Sequence, residues 1–276
     1  MPARPVDLPE FDRPPVAEVA LGVQFLPLPS LRAAHLGLLW ERYKNDYPGL
    51  EEHPQLDSAI EQFDEIYIER TLDVRVLDAP PVPRCWFLTP ERNRLIQIQQ
   101  DRLIHNWRRV MSAPTYPRYE TLRASFASHF TTFIKFVEEE DLGRVNVNQV
   151  EITYVNRLRL GDGWTRLGEL HKVIRMWKPN YGVGLSGEPE NVRLTERHVL
   201  SNDQGPFGRL HIAVDPVVSR DDGEVALLLT LTVRGRPMGT GLHDILNFLD
   251  MGRIVAVKAF GAVTTDQMHQ IWGKAT

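Results

Sequence analysis

The chain carries the same order of predicted elements twice, about 130 residues apart, and this repetition constrains its fold more than any other feature. Residues 19–25 read as a strand, and a tryptophan-bearing helix at 31–47 follows. Residues 150–156 read as a second such strand, followed by a second tryptophan-bearing helix at 167–177. Each pair runs into β-rich sequence and closes on a long apolar helix, 119–140 in one half and 242–263 in the other. The repeat predicts an α+β protein of two pseudo-symmetric β-α-β-β-β-α units with a groove between them. The expected division is an extended proline-rich arm at 1–18, a first unit at 19–148 and a second at 149–276.

Local patterns fill in each unit. Five prolines before residue 16 keep the arm extended, with Leu8 and Phe11 placed to tie it down. Ser30 is the expected cap of the first helix, and Tyr47-Pro48-Gly49 ends it. Residues 50–83 show the weakest periodicity, with strands expected at 66–68 and 72–77. Strands at 85–88, 95–100 and 103–110 follow, the first two joined by a turn at 90–93. Leu122, Phe126, Phe130, Phe133 and Phe136 recur at helical spacing and read as a core-facing stripe. The second unit repeats this with strands at 192–200, 210–218 and 225–233, and a hairpin turn at Asp221-Asp222-Gly223. Thr264 and Gln267 form an expected capping box for a short last helix.

Composition narrows the function classes. No apolar run approaches the roughly 18–20 residues of a membrane-spanning helix, and the first residues lack the basic-then-apolar pattern of a signal peptide. The expectation is a soluble cytoplasmic protein with no membrane association. Cys85 is the single cysteine, in an apolar strand where a thiol is usually inert packing, so no intrachain disulfide can form. A net charge of −4 argues against general nucleic-acid binding. The charge is blocked, however. Nine acids lie between Glu51 and Asp78 against two arginines, and eight arginines lie between Arg84 and Arg123 against three acids. Such blocks can pair with each other or steer a partner.

The segment 97–109 is the strongest local oddity, because amides, arginines and a tryptophan occupy both faces of one strand. Arg and Trp suit planar or anionic groups and are enriched at protein interfaces. Tyr154 and Asn156 share one face of the strand at 151–157 and are expected to approach the Asn106-Trp107 segment, with Glu151 and Arg108 as a buried ion pair. The candidate ligand- or partner-binding residues are therefore Arg102, Asn106, Trp107, Arg108, Arg109, Tyr154 and Asn156. The same residues also fit a buried network that fixes the two units together. The loop 235–241 precedes a helix but lacks the Lys-Ser/Thr of a phosphate-binding loop, and reads as a plain connection. No acid, base or nucleophile set, metal-ligand spacing or cofactor motif is present, so no catalytic residue, metal or cofactor is assigned.

Three stretches carry a resemblance: Pro14-Pro15-Val16 through Gln24-Phe25; Gln99-Gln100-Asp101-Arg102 with Asn106-Trp107-Arg108; and Glu151 to Asn156. With the ending from Thr264-Thr265 to Trp272-Gly273, the chain resembles, nearly end to end, a sporadically distributed family of uncharacterised bacterial proteins. The resemblance implies no established activity, and sporadic distribution is the habit of mobile, defence or toxin–antitoxin loci. By fold analogy alone, the expected order is that of TBP-like saddles or helix-grip folds, a curved antiparallel sheet with long helices on one face. The expected function is a non-enzymatic cytoplasmic binding or regulatory protein with a protein partner, one member of a bacterial defence or toxin–antitoxin locus. The alternatives are a small-ligand sensor or enzyme with a pocket between the units, and nucleic-acid binding through the 84–123 block.

Overall fold

A computed structural model describes residues 8–63, 81–110, 116–178, 187–218 and 223–275. The expected strands at 66–68 and 72–77 and most of the turn at 221–223 lie outside the described residues. The rest forms an α+β structure around one antiparallel sheet of nine strands.

In chain order the strands are β1 (Val16–Phe25), β2 (Gly49–His53), β3 (Arg84–Leu88), β4 (Arg94–Gln99), β5 (Arg102–Arg108), β6 (Val147–Arg159), β7 (Leu194–Asn202), β8 (Gly205–Val218) and β9 (Val225–Gly235). The helices are α1 (Ala33–Glu41), α2 (Arg118–Glu139), α3 (Leu242–Val263) and α4 (Asp266–Ile271). The sheet order is β2-β3-β4-β5-β1-β6-β9-β8-β7, so β1 and β6 lie side by side at its centre. Each is flanked outward by the last strand of the meander that follows it, β5 beside β1 and β9 beside β6.

Strand alternation divides this sheet into two unlike faces. Val19, Leu21, Val23 and Phe25 of β1, Ile152, Tyr154 and Leu158 of β6, and Leu229, Leu231 and Val233 of β9 are all buried on the side that α2 and α3 cover. The phenylalanines of α2 meet them there, Phe25 and Phe133 with ring centroids 5.5 Å apart. Each such side chain stabilises the fold by about 1.5–3 kcal/mol through its burial. Helix α3 approaches closely because Gly252 has no side chain; a Cβ there would stand 2.7 Å from Ile152 Cγ2. The opposite face carries polar and charged residues.

Leu8 is buried, and Phe11 bridges to Lys274 while its ring meets Phe260 edge-on at 5.5 Å. Other details depart from the sequence pattern. The span 167–177 holds only a 3-10 turn, Leu167–Lys172, because Arg175 then gives its backbone N–H to Val263 instead of continuing a helix. Ser30 does not cap α1. Leu31 turns back onto Leu28, so the helix starts later, and His35 Nδ1 accepts from Arg32 N at 3.0 Å. Thr265, not Thr264, caps α4 and accepts from Met268 N. Thr264 instead donates its hydroxyl to Phe260 O and meets His269 Nε2. Among the described residues no helix is long and apolar enough to cross a membrane.

Candidate functional site

Adjacent residues on one strand face opposite ways, and the seven sequence candidates divide accordingly. Trp107, Tyr154 and Asn156 lie on the helix-covered side. Val19 stands between Trp107 and Tyr154 in the register of β5, β1 and β6. Tyr116, just before α2, joins them: its ring centroid is 5.3 Å from that of Trp107, and its hydroxyl pairs with that of Tyr154. Arg102, Asn106 and Arg108 lie on the polar side. Asn106 therefore does not meet Tyr154 or Asn156; its amide bonds Glu18 at 2.5 Å and accepts from Gln97 at 2.8 Å. Burial raises the Glu18 carboxyl's pKa, while Asn106 and Arg108 oppose the shift.

The expected Glu151–Arg108 pair does not form. Glu151 sits opposite Gly22 and Arg108 opposite Glu18, four residues along β1, or about 13 Å. Glu151 bonds Arg234 at 2.5 Å instead, and Arg108 donates to the Arg92 carbonyl at 2.8 Å. The opposed charge blocks meet in part, through Glu51 and Arg92.

A cavity of about 660 Å³ opens on the helix-covered side, where α2, α3, β6 and the arm converge. Tyr154 and Asn156 of β6 line it, with Arg109 beyond the end of β5. The sequence reading missed other polar lining residues, among them Tyr116, Tyr119, Arg118 and Arg253. Arg253 had a signal: it is a cation between Gly252 and Ile254 on an apolar helix. Leu8, Phe11, Val16, Leu231 and Phe260 give the cavity an apolar wall.

Arginine is the commonest charged residue in the cavity lining. Five arginines (13, 109, 118, 159 and 253) line it against Glu10, Asp12 and Asp162. Three of the five are paired with carboxylates: Arg118 with Glu10 at 2.6 Å, Arg253 with Glu120 at 2.8 Å and Arg159 with Glu224 at 2.7 Å. Arg109 and Arg13 donate to the neutral carbonyls of Val16 and Ile271. Arg118 also adopts φ 66°, a left-handed conformation unusual for a residue with a side chain, at the helix end that faces the arm. Burial pushes the Tyr116 phenol up to about 12 and holds the Tyr154 phenol well above its usual value, so both remain protonated hydrogen-bonding groups at neutral pH.

Elsewhere the chemistry is quiet. Cys85 is buried, and burial pushes its thiol up to about 11. The loop 235–241 already has an anion beside it, since a Cβ on Gly239 would meet Asp244 Oδ2 at 2.4 Å. Among the described residues no group of three or more His, Cys, Asp or Glu side chains is arranged to hold a metal ion. No family model, no curated protein and no solved structure matches this chain.

Proposed function

We propose that this protein binds a small anionic molecule with an apolar or aromatic body in the cavity between its two halves. The observation that carries the reading is the cavity itself: about 660 Å³, within the roughly 300–1,000 Å³ usual for small-ligand sites, with an apolar wall and an excess of arginine. Arg109 supplies the recognition of a carboxylate or phosphate at the rim. Tyr116 and Tyr154 offer ring faces and hydroxyl donors, and Asn156 adds an amide. The lining phenols stay protonated at neutral pH and serve as hydrogen-bonding groups for a bound ligand.

The halves are read as copies of one unit related by a pseudo-twofold axis between β1 and β6. The sheet order supports this, as do the two 22-residue helices, α2 and α3, that follow the two meanders. A saddle of this kind puts the cavity where the copies meet, the position at which neither copy alone would close it.

The test is thermal stabilisation by a panel of aromatic and aliphatic carboxylates and phosphates, with native mass spectrometry of the freshly purified protein. A ligand at 100 times its Kd should add about 2.7 kcal/mol of stability. The Arg109→Ala and Tyr154→Phe variants should fold and lose most of that gain. The reading fails if no member of the panel stabilises the protein, or if both variants respond like the parent.

A further inference from the structure

Residues 54–63 leave the edge strand β2 and cross the polar face of the sheet without joining its ladder. Their contacts pass from strand to strand in sheet order. Gln99 of β4 reads both backbone groups of Leu56, accepting from its N–H at 2.9 Å and donating to its carbonyl at 3.0 Å. Arg102 of β5 donates to the Asp57 carbonyl at 2.8 Å. Gln24 of β1 accepts from Ala59 N at 2.9 Å and donates to Ser58 Oγ at 3.0 Å. Gln149 of β6 accepts from Glu61 N at 3.4 Å.

The segment ends in a carboxylate clamp. Arg209 of β8 bonds Glu61 at 2.5 Å and the Gln62 carbonyl at 2.8 Å. His211 of β8 meets Glu61 at 2.7 Å, and Arg234 of β9 at 3.4 Å. Burial pushes the Glu61 carboxyl up, but the bonds from His211 and Arg209 and the charge of Arg234 outweigh it and hold the group ionised.

Two properties distinguish this segment from an ordinary piece of core. Most of its bonds to the sheet go to backbone groups, which any extended chain presents; Glu61 is the one buried side chain they require. None of its apolar side chains is fully buried: Ile60 is 47% exposed, and Leu56, Ala59 and Phe63 are partly covered, Phe63 with the Arg209 guanidinium 4.9 Å from its ring centroid. Bonds of this kind exchange nearly like for like when a second chain supplies the same groups.

We infer that this polar face is a binding site for an extended acidic segment of a partner protein, which residues 56–61 occupy as a displaceable substitute. The recognised pattern is an extended backbone with one carboxylate five residues after the position read by Gln99. Arg209 and Arg234 supply the complementary charge, and His211 adds a hydrogen bond to the same carboxylate. A strand-crossing path over five strand intervals, about 24 Å, is longer than five extended residues, about 17 Å; the long Gln and Arg side chains bridge the difference. This surface is independent of the cavity on the other side of the sheet.

The experiment uses a labelled, end-blocked peptide with the sequence of residues 54–63 and the full-length protein, followed by fluorescence anisotropy. The parent should bind it weakly, because its own segment competes. Glu61→Ala, which frees the face, should bind it at least about tenfold more tightly. That gain should vanish when the peptide's glutamate is replaced by glutamine, or when Arg209→Ala is added to the protein. Equal affinity of parent and Glu61→Ala overturns the inference, as does binding indifferent to the peptide carboxylate. Preferential binding of a single-stranded oligonucleotide by Glu61→Ala also overturns it. If Glu61→Ala does not fold, hydrogen exchange of the parent with excess peptide decides: the Leu56 and Ala59 amides must exchange faster, and unchanged protection sinks the proposal.

Discussion

The two faces of the central sheet solve the same problem, covering a strand surface, by opposite means. On one side α2 and α3 cover buried leucines, valines and aromatics, and the space left over is a cavity with an arginine-rich rim. On the other side a short extended segment lies over glutamines, arginines and a histidine and matches them bond for bond. Burial on the first face is non-directional and costly to undo. Bonding on the second is directional, and each bond can be replaced by a similar one. Permanent structure and exchangeable contact thus occupy alternate residues of the same strands.

The sharpest way to break this comparison is to cut into the helix-covered face. Trp107 is 1% exposed and packed against Tyr116, with Arg109 6.0 Å from its ring centroid. Trp107→Ala should cost about 3–5 kcal/mol, measured by denaturant unfolding. A loss below about 1 kcal/mol would mean that this face tolerates voids, and that the contrast with the polar face is overstated.

Trp107 also shows how far the sequence could be read. Its neighbours in the chain marked the strand as unusual, and the long α2 and α3 helices followed from their apolar spacing. What could not be read was which of the crowded residues share a face across strands. That depends on register, and a one-residue difference moves a side chain to the other side of the sheet. Asn106 and Trp107 were grouped as one patch and belong to two. Strand β2 is a short edge strand whose ladder partner β3 lies roughly thirty residues on, and the segment after it is held by side chains from distant strands, so neither leaves a local periodicity. Gln24 and Gln149 carried a faint signal, amides at inner positions of otherwise buried strands.

Acid should separate the faces next. His105 is buried against α2, and both of its ring nitrogens lack a partner among the described residues. Its ring lies 5.0 Å from that of His129, which bonds the Tyr47 hydroxyl at 2.9 Å. Burial holds the His129 pKa down at about 4 and that of His105 well below its usual value; Arg94 adds to both shifts, and Asp46 opposes that of His129. The unfolded chain therefore takes up protons first. The stability from these neutral imidazoles is complete above about pH 6.5 and falls as pH drops toward 4, by about 3 kcal/mol for His129. Unfolding free energy measured across that window should decline with acidification, and His129→Gln should flatten the slope. A slope unchanged in the variant would assign the acid sensitivity to His105 or to carboxylates such as Glu61 on the polar face.

The smallest effect discriminates most finely, because it compares adjacent residues. Arg108 faces the polar side, bonded to the Arg92 carbonyl and 5.7 Å from the centroid of Trp86. Arg109 lines the cavity and is exposed beyond its bond to Val16. Each substitution to alanine removes one partly solvated cation and should cost less than about 1 kcal/mol of stability. Their effects on an anionic ligand should differ completely. Arg109→Ala should weaken its stabilising effect, and Arg108→Ala should leave it intact, because a strand backbone and the packed Trp107 stand between Arg108 and the cavity. Thermal shifts of both variants with the same ligand make the comparison. Equal weakening by both would show that the anion sees the summed charge of the region, and the cavity would lose its claim to be a defined site.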